Sequence, residues 1–168
     1  ASAASRLFEK HGFAYVQCAS CKTIYMNPRP SPLVMEDYYR HSENYAYWAQ
    51  HIFPASEQAR REKIHRLWLT RVLEYCSRYG ISTRTLLEVG PGFGTFAELA
   101  ASSGRFAQVI AVEPTPEMAD ACRTRGIEVV NKRIEDIVDN ELPEADIAVS
   151  FEVVEHLFEP RQFFRQCF

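Results

Sequence analysis

The stretch Leu86-Leu87-Glu88-Val89-Gly90-Pro91-Gly92-Phe93-Gly94 sets a carboxylate and three alternating glycines at the end of an apolar run. Gly90 and Gly92 can take backbone angles closed to other residues and let a ligand approach the main chain, and a helix starting near Phe93 would offer unpaired N–H groups. A second apolar run ends in Val112-Glu113-Pro114, about twenty residues further on, where an acidic side chain can accept hydrogen bonds from both ribose hydroxyls. A glycine loop flanked by two strand-end carboxylates is an arrangement for holding a nucleoside-bearing cofactor.

The choice of cofactor follows from charge. The spacing is Glu-x-Gly-x-Gly-x-Gly and not Gly-x-Gly-x-x-Gly. A carboxylate at Glu88 would repel a pyrophosphate, whereas it attracts the positively charged amino group of S-adenosylmethionine. The residues therefore favour the sulfonium cofactor over a nicotinamide dinucleotide.

Alternating strands and helices must position these groups. Thr85 to Val89, Ala107 to Val112, Ile127 to Val130 and Asp146 to Ser150 read as buried strands, and Phe93 to Ser103 and Pro116 to Arg125 as helices, the second closed by Gly126. Such alternation implies right-handed parallel crossovers. The expected fold class is α/β, a Rossmann-like doubly wound, mostly parallel sheet with flanking helices. The site then falls at the carboxyl ends of the strands.

Upstream, Phe13 to Met26 alternates as short strands do, around a Cys18-Ala-Ser-Cys21 turn, and ends in the Pro-rich run Asn27 to Pro32. Ser31 is a plausible N-cap and Pro32 a first helical residue for a segment reaching Arg40. An aromatic cluster follows, Tyr38, Tyr39, Tyr45, Tyr47 and Trp48, suited either to covering an acceptor or to packing on a helix. From Ala55 to Tyr79, Ile64, Leu67, Trp68, Val72, Tyr75, Cys76 and Tyr79 recur at helical spacing, and Gly80 stands where a C-terminal cap belongs. Arg60, Arg61, Lys63, Arg66 and Arg71 on the other face read as solvated side chains. The expected division is a ribbon-like knuckle and linker at 1–30, a helical lid or acceptor region at 31–80, and the Rossmann-like domain at 81–168.

Composition fits a folded protein, since 46% of the 168 residues are apolar and 24% charged, outside the disordered regime. A net charge of -3 gives no reason to expect nucleic acid as an obligatory partner. No apolar run approaches the roughly 20 residues of a membrane span, and no signal-peptide core is present, so a cytoplasmic location is expected. Five cysteines, an odd number, argue against a disulfide framework. The sequence starts at Ala1 without Met and stops within an amphipathic helical pattern, and is read as a piece of a longer protein.

These motifs resemble those of the class I S-adenosylmethionine-dependent methyltransferases. Glu88-Val-Gly-Pro-Gly-Phe-Gly94 looks like the family's first motif and Glu113, with Pro114, like its ribose-binding end of the second strand. Ile134-Glu135-Asp136 matches the place where the family holds the adenine, and Asp146-Ile-Ala-Val-Ser-Phe151-Glu152-Val-Val-Glu155-His156-Leu157 resembles its fourth strand and following loop. The resemblance thus implies Glu88, Gly90, Gly92, Gly94, Glu113, Pro114, Ile134, Glu135 and Phe151 as cofactor-binding residues. The Glu152-Val-Val-Glu155-His156 run is similar to quinone O-methyltransferases, and the N-terminal half resembles a subfamily with a zinc ribbon, which includes sugar C-methyltransferases. That ribbon's first cysteine pair and the fold's last three strands have no counterpart in this sequence.

The resemblance implies methyl transfer from S-adenosylmethionine to oxygen or carbon of a small molecule, a sugar nucleotide, polyketide or quinone-like acceptor. Such an in-line displacement needs an aligned nucleophile and, where the acceptor carries a proton, a base. His156 is the candidate base, and Glu152 and Glu155 would orient it, face the methionine end of the cofactor, or hold Mg with it; alternatively Glu155 and His156 only begin the next helix. Cys18 and Cys21 have the spacing of half a tetrahedral zinc site, with His11 as the candidate third ligand. Two other functions stay open at this point, a non-catalytic cofactor-binding module and a nicotinamide-dependent oxidoreductase.

Overall fold

The computed structural model describes residues 3–41, 43, 47–138 and 140–167. It divides into two compact units, Ala1–Trp48 and Ala49–Phe168. Tyr45, one of the expected aromatic cluster, lies outside the described residues.

The first unit is a three-stranded antiparallel sheet, β1 (Ala4–Lys10), β2 (Phe13–Cys18) and β3 (Ile24–Met26), followed by helix α1 (Pro32–His41). Lys10 pairs with Phe13 across His11 and Gly12, both at positive φ (52° and 81°), the two-residue turn whose twist matches a hairpin. β1 is an addition to the sequence-based reading. All seven of its side chains are exposed, so no buried alternation marks it, and its pairing with β2 holds it in place. Phe8 stacks on Tyr15 across that pair, with ring centroids 4.8 Å apart.

A π-helical turn, Trp48–Ile52, starts at the last residue of the first unit, and the second unit continues with α2 (Phe53–Arg60), a second π turn at Arg61–His65, and α3 (Arg66–Tyr79). Gly80 caps α3 at φ 64° and ψ 30° and its N–H donates to the Cys76 carbonyl, a left-handed helix end. The buried face of α3 is Leu69, Val72 and Cys76. Ile64, Leu67, Tyr75 and Tyr79, expected on the buried stripe, are 39–66% exposed. The stripe is rotated about a quarter turn from the one the aromatic residues suggested, because Tyr tolerates water at its rim.

Four parallel strands follow, β4 (Thr85–Val89), β5 (Gln108–Val112), β6 (Glu128–Val130) and β7 (Ile147–Val149), in the order β6-β5-β4-β7. Helices α4 (Thr95–Ser102) and α5 (Pro116–Thr124) connect β4 to β5 and β5 to β6, and α6 (Pro160–Cys167) follows β7. The register pairs Glu88 with Ala111 and with Val149. The chain winds outward from β4 to β6 and then returns to the other side of β4, so β4 stands at the reversal of strand order, where such sheets bind ligands. One core gathers Leu69, Val72 and Cys76 with Leu86, Phe96 and Cys122; the other, on the opposite sheet face, gathers Leu87, Val89, Ile110, Val112, Ile134 and Phe163. This is the expected α/β Rossmann-like sheet with helices on both faces.

The arginines of the helical segment are not uniformly solvated. Arg61 donates to Glu98 at 2.7 Å, Arg125 pairs with the same carboxylate at 2.8 Å and with Glu57 at 2.6 Å, and Thr95 Oγ1 donates to Glu57 at 3.2 Å. This network ties the segment before the sheet to the first turns of α4 and the end of α5. Because its side chains are half-buried, Arg125→Ala is expected to lower stability by about 1 kcal/mol, measured as a fall in melting temperature that shrinks in molar salt.

Candidate cofactor site

The apolar run of β4 is buried through its last four residues, and Glu88 is carried inward with it. Glu88 is 3% exposed, and Oε2 is buried with no protein hydrogen-bond partner. Burial pushes its carboxyl up to about 8, against the Ala97 backbone N–H that favours the ionised form; nearby Glu113 adds to the rise. A buried polar atom without a partner costs free energy, so Glu88 Oε2 is a polar group left for a ligand to satisfy.

The loop after β4 is built by backbone bonds. Gly90 N–H donates to the Val112 carbonyl at 2.9 Å and Gly94 N–H to the Pro91 carbonyl at 3.0 Å. Gly90, Gly92 and Gly94 all have positive φ, 75°, 58° and 78°. A Cβ on Gly90 would stand 2.5 Å from Val153 Cγ2, whereas one on Gly92 would meet nothing within 4 Å. Gly94 ends the loop as the left-handed residue before α4, which is why that helix begins at Thr95 and not at Phe93. Beneath the loop, Cys122 Sγ donates to the Gly92 carbonyl at 3.2 Å, and burial holds the thiol neutral by pushing it up to about 11.

Glu113 extends the second strand's end. It is 4% exposed, its Oε2 accepts from Gly92 N–H at 3.2 Å and its Oε1 from Thr115 N–H at 2.8 Å. Asn131 donates to its main-chain carbonyl at 2.7 Å. Burial raises its carboxyl, opposed by the Thr115 and Gly92 donors. A carboxylate offers about four lone-pair positions, so two hydroxyl donors can still be accommodated. Pro114 is exposed beside it, Ile134 is buried in a 3-10 turn at Ile134–Asp136, and Glu135 is half-buried there.

On the other side of β4, Ser150 Oγ donates to the Val89 carbonyl at 2.9 Å and Phe151 leaves β7. Its ring is stacked on Trp68 at 4.1 Å and meets Phe96 edge-on at 4.8 Å. Glu152 follows at φ 57°, an uncommon angle for a residue with a Cβ. Val154–His156 form a 3-10 turn, and Glu152, Glu155 and His156 are exposed. Thus the structure brings Glu88, the glycines and Glu113 together at adjacent strand ends, with Ile134 and Glu135 after β6 and the Glu152–His156 segment after β7.

The expected metal sites are not formed. Among the described residues no three His, Cys, Asp or Glu side chains assemble as metal ligands. Cys18 is buried with Sγ 3.2 Å from Ser20 Oγ, and the exposed Cys21 donates to Thr23 Oγ1 at 3.2 Å. The two-residue spacing brings the thiols within reach of one turn but supplies neither a third nor a fourth ligand, so neither zinc at Cys18 and Cys21 nor Mg near His156 finds support among the described residues.

Sequence reasoning missed His65, which is 7% exposed, and the ion pairs of Arg125. His65 was legible, lying four, seven and eleven residues before Leu69, Val72 and Cys76 on the buried stripe. The Arg125 partners are 68 and 27 residues away in sequence, where no periodicity reaches.

Residues 87–168 match the family model described as a methyltransferase domain. Among solved structures, the chain is similar to an S-adenosylmethionine-dependent methyltransferase from Clostridium acetobutylicum ATCC 824, with 17% identity and TM-score 0.57 over 74% of this chain and 52% of that one. It is also similar to magnesium protoporphyrin IX methyltransferase from Synechocystis PCC 6803 with bound S-adenosylmethionine, with 12% identity and TM-score 0.55 over 84% and 72% of the two chains. The chain therefore spans about half the length of the first neighbour, and at these identities the likeness is one of fold. No curated protein sequence matches. The second unit has the Rossmann-like fold of these methyltransferase structures, and its C-terminal 87–168 stretch is the part that matches the methyltransferase-domain family model.

Proposed function

We propose that this chain binds S-adenosylmethionine and belongs to an enzyme that transfers its methyl group to oxygen or carbon of a small molecule, of the sugar nucleotide, polyketide or quinone-like class. The observation that carries the reading is the pair of buried carboxylates, Glu88 and Glu113, on either side of a glycine loop whose Gly92 face is open to a ligand. Glu88 Oε2 lacks a partner, and the amino group of this cofactor would supply one once the carboxyl gives up its proton. Glu113 would accept the ribose hydroxyls, with Pro114, Ile134 and Glu135 lining the adenine end. When bound, the cofactor supplies a sulfonium-activated methyl group.

The chain's own residues then align and exclude. Gly90, Gly92 and Gly94 let the cofactor lie against the main chain; Phe151, held between Trp68 and Phe96, closes the side facing α3 and keeps water out. His156 stands in the turn after β7, on the strand-end edge that also carries the glycine loop, and would take a proton from an acceptor hydroxyl or carbon acid, with Glu152 and Glu155 orienting it. A pyrophosphate is disfavoured because Glu88 and Glu113 offer it no positive charge, and any ionised fraction of either carboxyl repels it.

Thermal shift tests the reading. S-adenosylhomocysteine is expected to raise the melting temperature of the chain by mass action, NADH to leave it unchanged, and Glu113→Ala to remove the S-adenosylhomocysteine shift. A shift with NADH alone would replace the proposal with an oxidoreductase.

A further inference from the structure

We propose that His65 is a further binding residue of this site, donating a hydrogen bond from its imidazole to the carboxylate of the cofactor's amino-acid end. The inference rests on the cofactor reading above. His65 is 7% exposed, and neither Nδ1 nor Nε2 has a protein hydrogen-bond partner. Buried polar atoms are almost always satisfied, so two orphaned nitrogens on one ring call for a ligand. The ring sits at the last residue of the π turn Arg61–His65, and such single π turns within helices occur frequently at functional sites.

Placement supports the same ligand. The ring lies edge-on to Trp68 at 5.1 Å, Trp68 stacks on Phe151, and Phe151 meets Phe96. Phe96 precedes Ala97, whose N–H bonds Glu88. Leu86, two residues before Glu88 and on its side of β4, shares a core with Phe96, so both orphaned groups stand on one face of the sheet toward its carboxyl edge. Their chemistries are complementary to a zwitterion: a carboxyl for the ammonium, and for the carboxylate an N–H donor in the field of Arg60 and Arg61, opposed by Glu57. Burial and those two arginines hold the imidazole neutral by lowering its protonation range, which leaves one N–H to donate and favours an anion as the acceptor. Because the nitrogens are covered, engagement requires local yielding of the helical segment, and the π turn is where its helical ladder is already irregular.

Calorimetry with two ligands separates this inference from its foundation. The probes are S-adenosylhomocysteine and its decarboxylated analogue, which keeps the adenosine and the amine. His65→Phe is expected to bind S-adenosylhomocysteine about ten- to a hundredfold more weakly than the wild type, and to bind the decarboxylated analogue unchanged. Its melting temperature should not fall, because an apolar ring of similar shape removes an unsatisfied polar group. Unchanged affinity for S-adenosylhomocysteine, or equal loss for both ligands, would overturn the assignment. If the wild type binds neither ligand, the cofactor reading itself has failed. Should His65→Phe not fold, the ring-nitrogen resonances of His65 in the wild type decide: they are expected to move with S-adenosylhomocysteine and not with the decarboxylated analogue, and resonances indifferent to both reject it.

Discussion

Glu88→Gln is expected to abolish tight S-adenosylhomocysteine binding while making the chain more stable at alkaline pH. In the folded chain the Glu88 carboxyl is pushed up to about 8 from an ordinary 4.5. Above pH 4.5 the unfolded chain loses this proton and the folded chain keeps it, so stability falls as pH rises to about 8 and is level beyond. The loss is on the order of 5 kcal/mol for a shift of this size. Glutamine has the same shape and no proton to lose, so the variant's stability, measured by denaturant unfolding at pH 5, 7 and 9, should be nearly flat over that range. It also lacks the charge that meets an ammonium, and a lost charged hydrogen bond weakens binding at least about tenfold. In the wild type, ionising Glu88 on ligand entry releases a proton below pH 8. Affinity should therefore rise between pH 6 and 8 in the wild type and not in the variant. A variant that binds as tightly as the wild type would remove Glu88 from the site.

The second large effect is expected from Gly90→Ala. Gly90 has φ +75°, and an added Cβ would lie 2.5 Å from Val153 Cγ2. The left-handed angle costs a residue with a Cβ roughly 1–2 kcal/mol, and the overlap adds about 1 kcal/mol or more unless Val153 moves. A fall in melting temperature of about 5–10 °C follows for a chain of this size. The companion variant Gly90→Ala with Val153→Ala removes the overlap and leaves the backbone term, so it should recover part of the loss beyond additivity. Strict additivity of the two substitutions would show that Val153 does not press on the glycine loop. The contact matters for function because Val153 lies between Glu152 and the Val154–His156 turn, and thus couples the loop that would hold the cofactor to the segment carrying the candidate base.

The parts of this arrangement that could be read from sequence are those whose signals are local. Val109 to Val112 is a continuous apolar run and Leu86 to Val89 is apolar but for Glu88, because parallel strands are buried on both faces. Glu88 and Glu113 declare themselves by interrupting or ending such runs, and the alternating glycines by their spacing. β1 escaped because its side chains are exposed and its existence depends on a hairpin partner. The stripe of α3 lies a quarter turn from the one its spacing suggests because Tyr75 and Tyr79, which fit the helical period, stack on each other at 6.2 Å on the exposed side. Arg61, Arg125, Glu57 and Glu98 have the appearance of solvated charges until folding brings them within 2.6–2.8 Å. The Cys18-x-x-Cys21 spacing carried a metal expectation that two ligands cannot satisfy. His65 shows the converse, a polar residue on a buried stripe whose meaning emerges only when its lack of partners is seen.

The central claim, that the glycine loop with Glu88 and Glu113 holds S-adenosylmethionine, is tested most directly by isothermal titration of the chain with S-adenosylhomocysteine at two pH values in buffers of different ionisation enthalpy. One site per chain is expected, tighter at pH 8 than at pH 6, with a proton released at the lower pH and binding lost in Glu113→Ala. Absence of heat with S-adenosylhomocysteine at both pH values, or binding that survives Glu113→Ala unchanged, would contradict it.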